Sequence, residues 1–188
     1  GLTMTNSKFD NLFGQKPRNP KSQKLTQFHM DIAASIQKIT EDIMIKLAKS
    51  VQKEYGSKNL CLAGGVALNC VANSIIARDY YPSLWIIPNP GDAGSSLGCA
   101  AAYLGEHVNW ENTFLGYNIK GEYPITQVSN ELLKGNIVGV ASGKAEFGPR
   151  ALGNRSLLAD PRGDTIKDDV NKIKTRQEFR PFAPAVLE

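Results

Sequence analysis

The sequence predicts an α/β fold, and three of its features do so. Two short apolar runs, Asn59-Leu60-Cys61-Leu62-Ala63 and Leu84-Trp85-Ile86-Ile87, each enter a glycine turn and then a helical pattern. A long stretch ahead of them repeats its apolar residues at helical spacing. A third run, Ile137-Val138-Gly139-Val140-Ala141, leads into a segment crowded with arginine. Strands alternating with helices in this way build layered α/β domains.

Residues 1–24 are polar, carry Gly14, Pro17 and Pro20, and hold no period, so they read as an irregular lead-in. From Leu25 the positions Leu25, Phe28, Ile32, Ile36, Ile39, Ile43, Leu47, Val51 and Tyr55 recur at spacings of three and four, which predicts a long amphipathic helix ending near Gly56. The first run then forms a strand, Gly64-Gly65 a turn, and Val66, Leu68, Val71 and Ile75 a helix. The second run forms a strand, closed by the turn from Pro88 to Gly94 and followed by a small-residue helix to Leu104. Periodicity fades between His107 and Pro124, where Asn, Gly and Tyr dominate, and this predicts a linker at 108–124 between a 25–107 domain and a 125–188 domain. Ile125 to Leu133 reads as helix, and Ile137 to Ala141 as a strand.

A formal charge of +4 is mild, but Arg150, Arg155, Arg162, Lys167, Lys172, Lys174, Arg176 and Arg180 concentrate it near the end of the chain. That clustering points to an anionic ligand. Nucleic acid fits less well, because Phe147, Phe179 and Phe182 are the only rings in the tract and make no stacking platform. Cys61, Cys70 and Cys99 have no metal-ligand spacing and read as reduced core thiols. No apolar run reaches the roughly 18 residues that span a bilayer, and the polar start (Thr3, Asn6, Ser7, Lys8) is unlike a signal peptide. A cytoplasmic protein with no membrane partner is expected. Gly1, and a pattern interrupted at Glu188, give the further expectation of a piece of a longer protein.

The two glycine turns are candidates for a phosphate or nucleoside cradle. Gly64 and Gly65 let the backbone take positive φ and let a ligand approach it closely, while a helix start offers unpaired N–H groups to an anion. Asn69, about one turn into that helix, would bond a sugar or phosphate. A purely structural turn is the alternative. Asp92, at the apex of the second turn, could coordinate a metal, orient a nucleotide or cap the following helix. Loops on consecutive strands of one α/β unit share a sheet edge, where open sheets bind ligands, so Gly64-Gly65 and Asp92-Ala93-Gly94 are expected side by side.

In the stretch from Lys144 to Ser156, cations alternate with Gly148, Pro149, Gly153 and small polar residues. Arginine forks fixed by such turns make a pre-shaped anion pocket, and Arg150 and Arg155 are expected to face one cavity. Exposed salt bridges among Glu146, Asp160, Asp164, Asp168, Asp169 and Glu178 are the competing explanation.

Together, Leu60 to Asn69, Pro90 to Gly94, Glu146 to Arg162 and Arg180-Pro181-Phe182-Ala183-Pro184 resemble the carbamoyltransferase family that includes the nodulation-factor, cephamycin and aminoglycoside O-carbamoyltransferases. The resemblance runs from about Phe28 to the last residue. It implies the second half of an actin/Hsp70-like ATPase fold followed by the beginning of a threonylcarbamoyl-AMP-synthase-like α/β domain. It also implies two steps, in which ATP and carbamoyl phosphate give carbamoyl-adenylate and the carbamoyl group then passes to a hydroxyl acceptor, a sugar or another small molecule. By position, Gly64, Gly65, Asn69 and Gly94 would hold nucleotide. Asp92 would be a ligand of a divalent metal of iron or zinc type, with magnesium accompanying ATP. Arg150, Asn154, Arg155 and Ser156 would line the adenylate-forming pocket, with Arg176 and Arg180 as further nucleotide contacts.

One departure stands out. The family's metal also needs an upstream histidine pair, whereas this chain has only His29 and His107, at unrelated positions that read as surface histidines. The chain alone is therefore expected to be inactive and to hold no metal, since Asp92 supplies one ligand where a tight site needs three or more. A homodimer is expected of the full-length protein. A non-catalytic ATP-binding regulatory module and a relative of the tRNA threonylcarbamoyl transferases are the other readings. Under the favoured one, Arg150→Ala or Arg155→Ala is expected to stop carbamoyl-adenylate formation and leave the fold intact.

Overall fold

A computed structural model describes residues 6–187; Gly1 to Thr5, and with them the Gly1 and Thr3 expectations, lie outside the described residues, as does Glu188. Helices and small sheets alternate along the chain, which is the α/β class expected. The chain divides into two compact units, residues 1–58 with 70–83 and residues 59–69 with 84–188.

The first unit is helical. Helix α1 (Ser7–Phe13) begins where the Asn6 side chain accepts the Lys8 N–H at 3.0 Å, so part of the expected lead-in is ordered. Helix α2 (Gln27–Tyr55) realises the predicted amphipathic pattern and stops at Gly56, whose φ of 64° lets its N–H bond the Gln52 carbonyl at 2.8 Å. His29 has a local task at the other end: its Nδ1 accepts the Thr26 N–H at 3.1 Å and closes a capping arrangement. Helix α3 (Cys70–Asp79) packs on α2 through small residues, with Ala48, Ala72, Ile76 and Tyr81 all buried. The Tyr81 hydroxyl donates to the Ala48 carbonyl at 3.1 Å, and the Gln52 amide to the Tyr80 carbonyl at 2.6 Å. The large apolar stripe of α2 takes no part in that contact. Ile36, Ile39, Ile43 and Leu47 are 59%, 53%, 54% and 62% exposed.

In the second unit, strands β1 (Asn59–Leu62) and β2 (Ser83–Ile86) pair as a two-stranded sheet. Helix α4 (Ser95–Leu104) follows the second glycine turn. Strand β3 (Asn118–Ile119) pairs antiparallel with β5 (Gly143–Lys144), and β4 (Val138–Ala141) antiparallel with β6 (Arg155–Leu158). Helix α5 (Ile125–Leu133) packs on β4, burying Val128 and Val140, and α6 (Ile166–Ile173) buries Val170 and Asn171.

The 108–124 segment, aperiodic in sequence, is tied in by hydrogen bonds: Gly116 donates to the Ala145 carbonyl at 2.9 Å, Phe147 to the Thr113 carbonyl at 2.7 Å, and the Thr113 hydroxyl to the Phe147 carbonyl at 3.0 Å. Its backbone bonds go to a distant segment, so no local period announces them. The cysteines are exposed rather than in the core; Cys61 falls on the outward phase of β1, whose alternation buries Leu60 and Leu62 more deeply. Among the described residues, no helix is long and apolar enough to cross a membrane.

Candidate functional site

The turns after β1 and β2 meet. Gly64, at φ +94°, donates its N–H to the Pro90 carbonyl at 2.7 Å, so the two glycine turns lie side by side. The same bond removes the Gly64 N–H from the set of donors expected to face an anion. At Gly94 the reason for glycine is packing, because a Cβ there would stand 1.8 Å from the Asn89 carbonyl oxygen. Gly65, by contrast, has open space where a side chain would begin. Beside these turns lies a cavity of about 390 Å³, with Trp85, Ile87 and Trp110 among its apolar walls and Gly91, Gly94 and Ser95 at its polar edge.

Asn69 does not stand one turn into a helix. Residues Gly65–Leu68 form a 3₁₀ turn, and Asn69 closes it by donating its N–H to the Val66 carbonyl at 2.9 Å. Asp92 is exposed at the start of a second 3₁₀ turn, Asp92–Gly94. Among the described residues no three His, Cys, Asp or Glu side chains gather where they could hold a metal ion, so Asp92 by itself does not fit one.

The arginine segment is built around Glu146. One carboxylate oxygen, Oε1, accepts the N–H groups of Leu152 at 2.8 Å, Asn154 at 2.8 Å and Arg155 at 3.2 Å. Three converging backbone donors curl residues 147–155 around a single anion. The sequence offers Glu146 a part only in the competing explanation, as one of several exposed salt-bridge carboxylates. The available signal was its position directly ahead of a glycine- and proline-rich loop, whose N–H groups need an acceptor.

Arg155 corrects the expectation of a shared two-arginine cavity. Its Nη1 donates to the carbonyls of Ser142 at 2.9 Å and Asn154 at 2.7 Å, and its Nη2 to those of Tyr117 at 2.9 Å and Gly143 at 3.3 Å. The fork thus closes the junction of β3, β4, β5 and β6, because carbonyls left over where short strands end need donors as much as a phosphate would. Asn154 and Ser156 serve the same local framework. The Asn154 amide donates to the Lys144 carbonyl at 2.9 Å, and Ser156 Oγ accepts the Gly153 N–H at 2.9 Å. Arg150 differs: it is exposed, and it engages no partner among the described residues.

Gly148 fixes where this loop lies. Its φ is +132°, and a Cβ on it would come within 2.4 Å of the Pro88 carbonyl oxygen, so the loop presses backbone to backbone on the turn after β2. The Phe147 ring packs on Trp110 at 6.0 Å between centroids. The glycine turns and the arginine loop, assigned by the sequence to separate domains, are neighbours within one unit.

Farther along, Arg176 is held rather than open. Its Nε donates to Oδ1 of the fully buried Asn171 at 2.6 Å, and its guanidinium lies 4.3 Å from the Phe182 ring centre. Asn171 in turn donates to the carbonyls of Glu178 and Arg180, both at 3.1 Å. The Arg180 backbone is therefore anchored, and its side chain belongs to an exposed residue. Asp160 pairs with Arg162, whose hydrogen bonds hold the carboxyl at a pKa of about 2.

Burial is the largest single influence on the Glu146 carboxyl and pushes it up, but the N–H groups of Leu152, of Glu146 itself, of Asn154 and of Arg155 together outweigh it and leave it below the ordinary glutamate value. A carboxyl depressed in the folded state contributes stability that is present above its unfolded pKa and lost as pH falls through the folded one. The melting midpoint should therefore drop as pH is lowered from the ordinary carboxyl range towards the Asp160 value of about 2, and Glu146→Gln should flatten part of that slope. Calorimetry at a series of pH values checks this; equal slopes for the two proteins would contradict it.

The chain matches two family models, "Carbamoyltransferase N-terminus" over residues 1–101 and "Carbamoyltransferase C-terminus" over residues 129–188. It is similar to an uncharacterized protein of Synechocystis sp., 44% identical across 100% of this chain and 36% of that protein. It is similar to the nodulation protein NolO of Bradyrhizobium diazoefficiens, 35% identical across 89% of this chain and 36% of the relative. Nodulation protein U of Rhizobium tropici is 33% identical across 84% of this chain and 31% of its own length. The chain spans about a third of the length of these curated relatives.

Proposed function

The chain belongs to the carbamoyltransferase family, and from that premise we propose that the whole protein moves a carbamoyl group from carbamoyl phosphate, by way of carbamoyl-adenylate made with ATP, to a hydroxyl of a small-molecule or sugar acceptor. The observation that carries the proposal is Arg150: an exposed cation without a partner among the described residues, on a loop shaped by Glu146 and pressed against the second glycine turn. A cation held ready in that way suits a phosphate-bearing ligand.

In this reading residues 25–107 are the second half of an actin/Hsp70-like ATPase fold, and residues 125–188 begin a threonylcarbamoyl-AMP-synthase-like domain. The paired turns at Gly64 and Pro90 support the first assignment, since ligands bind at such strand ends. Water splits carbamoyl phosphate into carbamate and inorganic phosphate, a carbamate oxygen then takes the adenylyl group of ATP as pyrophosphate leaves, and AMP departs when the carbamoyl group passes to the acceptor hydroxyl. Gly65 and Gly91, each with open space beside its Cα, are where backbone and ligand can approach, and Arg150 neutralises phosphate charge. A divalent metal of iron or zinc type, with magnesium on ATP, belongs to the proposal for the whole protein. Asp92 is the one residue offered here to such a metal, and among the described residues no further His, Cys, Asp or Glu side chains gather with it to complete a site.

The test, made on the whole protein, is pyrophosphate release from ATP in the presence of carbamoyl phosphate, with the acceptor omitted. Because Arg150 holds nothing else in place, Arg150→Ala should slow this half-reaction about ten- to a hundred-fold, the loss of one charge-assisted hydrogen bond, at an unchanged melting midpoint. A wild-type rate in that variant would remove the assignment.

A further inference from the structure

The free guanidinium of Arg150 sits on the ten residues 145–154 between β5 and β6, and such a loop would ordinarily sample many conformations. Three contacts restrict it. Arg155 anchors its far end to backbone carbonyls, and Gly148 rests on Pro88 near its start. Between them, the Glu146 carboxylate gathers the N–H groups of Leu152, Asn154 and Arg155. Glu146 reaches across the neck of the loop, and Arg150 lies within the stretch it closes.

We infer that Glu146 is the positioning residue of a phosphate-binding loop, holding Arg150 where a diphosphate-bearing ligand meets it without touching that ligand. This rests on the reading of Arg150 given above. The carboxylate does two things at once. It satisfies three donors that would otherwise turn to water, and it removes those N–H groups from competition for the incoming phosphate, leaving the arginine as the group that meets it. Ordering before binding lowers the conformational cost of capture. A partly buried negative charge in an anion-binding loop costs some electrostatic attraction, which the three donors offset locally.

Pyrophosphate binding to the full chain tests this, with Glu146→Ala, Glu146→Gln, Arg150→Ala and the double variant Glu146→Ala/Arg150→Ala. Expected are an affinity loss of about ten-fold for Glu146→Ala, and rescue to within about three-fold of wild type by Glu146→Gln, which keeps the length and an acceptor oxygen. The double variant should bind no worse than Arg150→Ala alone, since an unpositioned arginine and an absent one are equivalent. Should Glu146→Ala fail to fold, hydrogen exchange at the Leu152, Asn154 and Arg155 amides decides. The three should be protected together in wild type and exchange faster together in Glu146→Gln.

Wild-type affinity in Glu146→Ala, equal losses for Ala and Gln, full additivity with Arg150→Ala, or three amides exchanging independently would each overturn the role of Glu146. If the wild-type chain and Arg150→Ala bind pyrophosphate equally, the function proposed for the loop falls and takes this role with it. If Arg150→Ala weakens binding and Glu146→Ala does not, only the positioning role falls.

Discussion

Replacing Arg155 with alanine is expected to lower the melting midpoint by about 6–12 °C, through a loss of about 3 kcal/mol. Its guanidinium donates to four carbonyls, those of Tyr117, Ser142, Gly143 and Asn154, and thereby joins residues that lie far apart in the chain. Arg155 is only partly buried, so water replaces some of those donors once the side chain is gone, and the expected figure stays well below the sum of four bonds. Lysine will not restore it, because one ammonium cannot present a flat fork to carbonyls on both sides. Thermal unfolding followed by circular dichroism measures the effect. A midpoint within about 2 °C of wild type would show those carbonyls to be well hydrated and the fork dispensable. The outcome separates two uses of arginine, since loss of activity with retained stability is expected of Arg150 and loss of stability of Arg155.

Gly148→Ala should cost about as much, roughly 3 kcal/mol or more, for a different reason. The new methyl would begin 2.4 Å from the Pro88 oxygen and 3.0 Å from the Pro88 carbonyl carbon, both backbone atoms that cannot swing away. The φ of +132° adds backbone strain that glycine alone avoids. Either the loop lifts from the turn after β2 or the turn itself shifts. Both movements disturb the packing of Phe147 on Trp110, so tryptophan emission should change along with the melting midpoint. Gly65→Ala provides the contrast, as nothing lies within 4 Å of the added carbon. If the two variants melt together, the contact at Pro88 is softer than the geometry implies.

The elements governed by local rules could be read from the residues in order. Helix α2 followed from its three-and-four spacing and from Gly56, and β1 and β2 from short apolar runs closed by glycine turns. The side-by-side placement of those turns also followed from strand order and is realised in the Gly64 to Pro90 bond. The fate of individual polar groups could not be read. An arginine fork suits a phosphate and a set of backbone carbonyls equally well, and nothing around Arg155 reveals that Tyr117, 38 positions earlier, would supply one of its acceptors. Glu146 was hidden for the converse reason, since its partners are backbone N–H groups, which every residue but proline carries. The 108–124 segment lacked a period because its order comes from pairing with residues near 145, and aperiodic sequence looks alike whether its hydrogen bonds go to water or to a distant strand.

The outward stripe of α2 governs how this chain behaves in a tube. A row of isoleucines and a leucine more than half exposed along a 29-residue helix is a colloidal liability, and a net charge of +4 supplies only weak repulsion between copies. Sulfate or phosphate salts, which screen that charge and raise the penalty on wet apolar surface, should therefore increase light scattering from the isolated chain well before they alter its helix content.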